Sequence, residues 1–226
     1  GLALGATGAC AVVEPIETRT FDVAGFDSIT ASNGVNVTLK QGPFSVSAKG
    51  PKDKLDRLNV ERNGSELRIS RDPGMRMNWG MWSQNDMVTV IAPAYTAISA
   101  SGGVDIDAYG MQLGDVSIGS SGGADINISG ACKALTLKAS GGADFNGRDF
   151  SCETASVSAS GGADASVTAT ANATGDASGG ADINFYGVAG TAIGKASSGA
   201  DIHFDGNPAI VQRDESSGGD IEVSAR

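Results

Sequence analysis

Seven aspartates, Asp105, Asp125, Asp144, Asp164, Asp182, Asp201 and Asp220, follow one another at spacings of 20, 19, 20, 18, 19 and 19 residues. Evenly spaced carboxylates suggest two chemistries. Calcium takes six to eight oxygen ligands of this kind, and a β-helix polysaccharide lyase needs clustered carboxylates, with calcium, beside a Lys or Arg base. Calcium is therefore the one cofactor the pattern suggests. The precedent is the Gly-Gly-x-Gly-x-Asp repeat, whose period is nine, so the match is loose. A competing reading leaves the carboxylates without an ion, relieved by Ser hydroxyls, corner amides and salty solvent. If neighbours stack at roughly 4.8 Å, each pair repels by about 0.9 kcal/mol in bulk water and about 3.5 kcal/mol at an effective dielectric of 20. The ladder therefore needs some form of relief.

The rest of the chain is poor in catalytic groups. Its one histidine, His203 in Asp201-Ile-His-Phe204, lies in the polar phase of an alternating run and reads as a surface residue. Lys133, Lys138, Arg148, Lys195 and Arg213 keep no fixed offset from the aspartates, and no nucleophile elbow or His-Glu-x-x-His appears. The pattern is not that of an enzyme. Cys132 and Cys152 lie 20 apart, one repeat period. They should sit in neighbouring coils about 5 Å apart, inside the disulfide window, and a bridge is expected, with two reduced thiols as the alternative. Two cysteines without a nearby histidine fall short of a zinc set.

The aspartates are positioned by a recurring corner. It reads Ser101-Gly-Gly-Val-Asp-Ile106, Ser121-Gly-Gly-Ala-Asp-Ile126, Ser140-Gly-Gly-Ala-Asp-Phe145, Ser160-Gly-Gly-Ala-Asp-Ala165 and Ser178-Gly-Gly-Ala-Asp-Ile183, then Ser197-Ser-Gly-Ala-Asp-Ile202 and Ser216-Ser-Gly-Gly-Asp-Ile221. Between corners run period-2 stretches such as Ala124-Asp-Ile126-Asn-Ile128 and Leu135-Thr-Leu137-Lys-Ala139. Two strands and two tight turns per period make one coil of an all-β, single-stranded parallel β-helix of flattened coils about 19 residues long, right-handed winding being favoured. The inward positions Ala143, Ala155, Val157, Ala163, Ala181, Ile183, Ala200 and Ile202 are small, so the interior should be thin. An antiparallel barrel or sandwich is the rival, but it would not bring the same corner round so regularly.

Residues 1–96 carry 10 acidic and 10 basic side chains, and 97–226 carry 16 and 6, so the whole net charge of −10 lies on the repeats. Phosphate recognition needs a basic face, which excludes nucleic acid as a partner. Residues 1–18 read as an export-signal remnant and linker, with Cys10 placed as in a lipoprotein processing site and therefore a candidate for lipidation. Ordinary signal-peptidase cleavage and an incidental cysteine are the alternatives. No apolar stretch is long enough to span a bilayer, so membrane contact is expected only through such an anchor. Residues 19–96 alternate as strands and read as the first coils of the same solenoid, with Asn33-Gly-Val-Asn36 as a variant corner. An insertion at 72–87 interrupts them and holds both tryptophans and four of the five methionines. It reads either as a cap on the solenoid or as a contact site made by Trp79, Trp82, Met75, Met77 and Met81, with sugar stacking on the tryptophans as one form.

Phe26-Asp-Ser-Ile29, Asn33-Gly-Val-Asn36, Gln41-Gly-Pro-Phe-Ser-Val46, the Gly64-to-Ile69 segment, Pro93 and the Gly-[Val/Ala]-Asp corners, in that order, resemble the bacterial putative autotransporter adhesins of the head GIN domain type, over roughly residues 20–226. The resemblance implies a pectin-lyase-like β-helix exported to the cell envelope, without catalytic residues and with a suggested role in adhesion. The expectation is a non-enzymatic module of the periplasm, outer membrane or cell surface that binds a glycan or protein ligand. A structural, self-assembling homo-oligomer is the second reading, and a polysaccharide lyase the third.

Overall fold

A computed structural model describes residues 15–72 and 87–225 of the 226. Cys10, Met75, Met77, Trp79, Met81 and Trp82 lie outside the described residues. The fold is all-β, a solenoid of about 7 turns whose parallel coils repeat about every 19 residues.

Each coil has two walls joined at the repeat corner. Strands that end on the corner serine form the Ser wall, and strands that begin on the aspartate form the Asp wall. From residue 97 onward, β8 (Ala97–Ser101) turns into β9 (Asp105–Gln112), and β10 (Asp115–Ser121) into β11 (Asp125–Gly141). β11, β12 (Asp144–Gly161) and β13 (Asp164–Ser178) run through the second corner without a break, so each belongs to both walls. β14 (Asp182–Val188), β15 (Thr191–Ser197), β16 (Asp201–Gly206), β17 (Ile210–Ser216) and β18 (Asp220–Ser224) complete the stack, every pairing parallel.

The corner turns because two residues accept left-handed backbone: Gly122 and Gly123 have φ of 67° and 82°. Closeness adds a second demand. A Cβ on Gly161, at φ 83°, would lie 3.0 Å from the Gly141 backbone, so the corners in the middle of the stack leave little room for a side chain. Ser198 and Ser217 keep the left-handed φ, at 60° and 51°, a cost of about 1–2 kcal/mol each. This is why the motif can loosen late in the chain without losing its shape.

Alternation then buries one side of every strand. The small inward positions Ala143, Ala163, Ala181 and Ala200 are fully buried, and so are Phe150, Phe185 and Phe204. Large residues fit a thin interior because glycine faces them. A Cβ on Gly175 would come within 2.9 Å of Phe185, and one on Gly194 within 3.1 Å of Phe204. The two rings stack with centroids 5.0 Å apart.

The first coil is out of chain order. β2 (Ser28–Ser32) and β3 (Asn36–Gln41) pair in parallel with β8 and β9, so the variant corner at Asn33 stacks on the first aspartate corner, with Asn36 opposite Asp105. On the far side of that coil, β6 (Glu66–Arg71) pairs with β2, and β7 (Met87–Ala92) with β3. The chain thus folds outward past its first coil before returning to build the rest. Tyr95 pins the return: its buried hydroxyl lies 3.0 Å from the carbonyl oxygens of both Lys40 and Val90, and burial pushes the phenol pKa well up. Beyond β6 and β7 the walls end in antiparallel strands, β5 (Leu58–Asn63) on one and β4 (Ser45–Pro51) with β1 (Ile16–Phe21) on the other. A single helical turn, α1 (Lys52–Leu55), sits between β4 and β5.

Candidate functional site

The seven aspartates lie in one column on the outer face of the Asp wall, every one of them exposed. Their own backbone holds them there. Each aspartate from 125 to 220 donates its N–H to the carbonyl of the residue before the preceding aspartate, at 2.9–3.2 Å. Register between coils is therefore set beside the charged side chain itself, and the carboxylates cannot slip out of line.

Relief of their repulsion does not come from local hydrogen bonds, one route the sequence suggested. Among the described residues, none of the seven side chains accepts a bond from a corner serine or amide, and none meets Lys or Arg within 4.0 Å. The corner amides are already engaged: Gly102 N donates to Ser121 O at 3.2 Å and Gly122 N to Ser140 O at 3.1 Å. The carboxylates are left to solvent. The Asp105 and Asp164 carboxyls titrate above the usual carboxylate range, first through lost hydration against neighbouring strands and then through adjacent carboxylates.

A second polar column runs beside the first: Asp107, Asn127, Asn146, Ser166, Asn184, His203 and Glu222. It was legible as the residue two beyond each aspartate, but its mixed chemistry hides the repeat. Asn127 Nδ2 donates to Asp107 Oδ1 at 3.3 Å, and Asn146 Nδ2 to Asn127 Oδ1 at 3.4 Å. Tyr109, 63% exposed, donates to the same Asp107 oxygen at 3.1 Å. Farther along, the Arg148 guanidinium stacks 4.6 Å above the Tyr186 ring. His203 Nδ1 lies 3.5 Å from a Glu222 carboxylate oxygen on the open face.

Cys132 and Cys152 are paired opposite one another and joined by a disulfide, with Cα atoms 4.4 Å apart. They face the interior, at 7% and 0% exposure. Among the described residues, no three His, Cys, Asp or Glu side chains converge as a metal set. One concavity is a water-sized niche of about 10 Å³ near Leu55, Leu58 and Met87. Another is an open cleft of about 310 Å³ between Phe21 and Phe44. No helix among the described residues is long and apolar enough to cross a membrane.

The architecture has solved counterparts. A putative adhesin from Bacteroides fragilis matches with a TM-score of 0.68 at 18% identity, over 94% of this chain and 98% of that one. A protein from Parabacteroides distasonis described as a putative lipid binding protein matches at 0.64 and 16% identity, over 92% and 96%. A putative adhesin from Parabacteroides merdae matches at 0.64 and 14% identity, over 92% and 96%. At these identities the likeness is one of fold. A search of curated proteins finds no match. The family described as putative auto-transporter adhesin, head GIN domain, matches residues 25–189, and the chain therefore belongs to that family.

Proposed function

We propose that this protein is a non-enzymatic module of the bacterial envelope or cell surface that binds its partner along the outer face of the Asp wall. The observation that carries the reading is the pair of columns: successive coils offer the same carboxylate, and beside it amides, acids and an imidazole, at one inter-strand spacing. Such a face suits a partner that repeats, because several weak contacts engage together once the first is made. A glycan chain or an extended protein segment has that character. The buried disulfide supports export, since such bonds persist in oxidising compartments, and the adhesin names of the relatives point the same way.

The test is binding of the full chain to displayed glycans and surface proteins, wild type against Asp125→Asn/Asp144→Asn/Asp164→Asn. The expected result is recognition of a repeating ligand, weakened at least about tenfold in the variant, a loss of about 1.4 kcal/mol. Undiminished binding by the variant would take the contact off this face. A wild-type protein that ignores every ligand offered would remove adhesion itself.

A further inference from the structure

The last coil breaks the pattern of the interior. On the Ser wall, Ala173, Gly175 and Ala177 face inward in one coil, and Ala192, Gly194 and Ala196 in the next. Register places Val211, Arg213 and Glu215 of β17 on those same three positions. Two charged residues therefore stand where the repeat calls for small apolar ones.

Their side chains are held. In β18, Asp220 N donates to Ala200 O at 3.1 Å, so the peptide groups of the next residue, Ile221, point off the end of the solenoid. Both are taken: Arg213 Nη1 donates to Ile221 O at 3.0 Å, and Ile221 N donates to Glu215 Oε1 at 3.2 Å. The two side chains thus cross from the Ser wall to the Asp wall and fill the donor and acceptor that Ile221 would offer a further strand. The final corner also draws in. Gly219 stands where Val104 and the later corner alanines stand, and a Cβ there would overlap the Ala196 carbonyl group.

We propose that the last coil is a polar terminator: Arg213 and Glu215 close this end of the solenoid and prevent a second copy of the chain from stacking on it. An exposed apolar end with free ladder groups is the surface on which such proteins join edge to edge. Covering this one with another strand would desolvate both charges and displace their bonds to Ile221, which makes the end repel a further coil.

The experiment restores the repeat pattern with Arg213→Val/Glu215→Ala in the full chain. Mass is followed by sedimentation velocity from micromolar to near-millimolar protein, and exchange of the Ile221 amide by NMR. The double variant is expected to gain mass with concentration beyond the wild type, and its Ile221 amide to exchange at least about tenfold faster. Two single variants decide the matter even if the double variant folds poorly: Glu215→Gln keeps the acceptor oxygen and should protect the amide, whereas Glu215→Ala should not. A folded double variant with the wild type's mass at every concentration overturns the proposal. So does an Ile221 amide equally protected in Glu215→Ala, or a wild-type self-association that Arg213→Val weakens.

Discussion

Asp56, at the N-terminal end, lies 2.6 Å from both Arg19 and Lys52, whereas Asp164, in mid-solenoid, has carboxylates for neighbours on both sides. Hydrogen bonds from Lys52 and Arg19 hold the Asp56 carboxyl below its usual range, and Thr30 and Arg68 do the same for Glu66. Lost hydration and like charge hold Asp164 above it. The difference teaches what each region relies on. In the antiparallel end, strands of different length and direction meet, and side chains adjust to one another in pairs. In the repeats, the backbone ladder and the buried alanines and phenylalanines impose one geometry on every coil, and surface charge follows.

The largest effects should come from crowding the backbone of the repeats. Gly130 has φ 125°, and a Cβ there would overlap the Met111 backbone. Gly130→Ala should cost about 4 kcal/mol or more, or prevent folding. Gly64→Ala, in the β5–β6 turn where φ is 64° and nothing lies within 4 Å, should cost only about 1–2 kcal/mol. Urea denaturation of both variants measures the contrast, and equal losses would break it. Next comes the disulfide that ties two coils across a separation of 20 residues. Cys132→Ser/Cys152→Ser should lower stability by about 3 kcal/mol, read as a reduced urea midpoint under oxidising conditions.

Acidity should act in opposite senses on the two regions. Asp164, with its pKa raised by folding, binds protons more readily folded than unfolded. Its contribution to stability therefore improves as pH falls from neutral through the raised pKa. Asp56, with its pKa lowered, stabilises the fold above the unfolded value of about 3.9 and loses that contribution as pH falls through its folded pKa. At pH 7, Asp164→Asn should stabilise and Asp56→Asn should destabilise, and both differences should shrink in acid. Urea midpoints at neutral pH give the signs, and midpoints near pH 4 for Asp164 and near pH 2 for Asp56 show the shrinkage; a shared sign would remove the distinction. The smallest effect is screening. Raising salt from about 0.01 M to about 0.15 M shortens the Debye length from about 30 to about 8 Å and should raise Tm by roughly 2 °C, less in Asp125→Asn/Asp144→Asn. Calcium chloride at equal ionic strength should act alike, and a larger rise, abolished in that variant, would place an ion on the ladder.

The sequence by itself determined the coil. A glycine corner at a near-constant interval brings the backbone round to one place, so the parallel stacking of the aspartate corners and the opposition of Cys132 and Cys152 could be read from spacing. Tertiary structure alone decided that β6 and β7 lie outside β2 and β3, because the pairings of β6 with β2 and β7 with β3 join distant segments that no local pattern marks. It also decided how the aspartates are relieved. Serine and corner amides stand beside them in sequence, but the corner amides donate to the next coil, a choice made only when the coils meet.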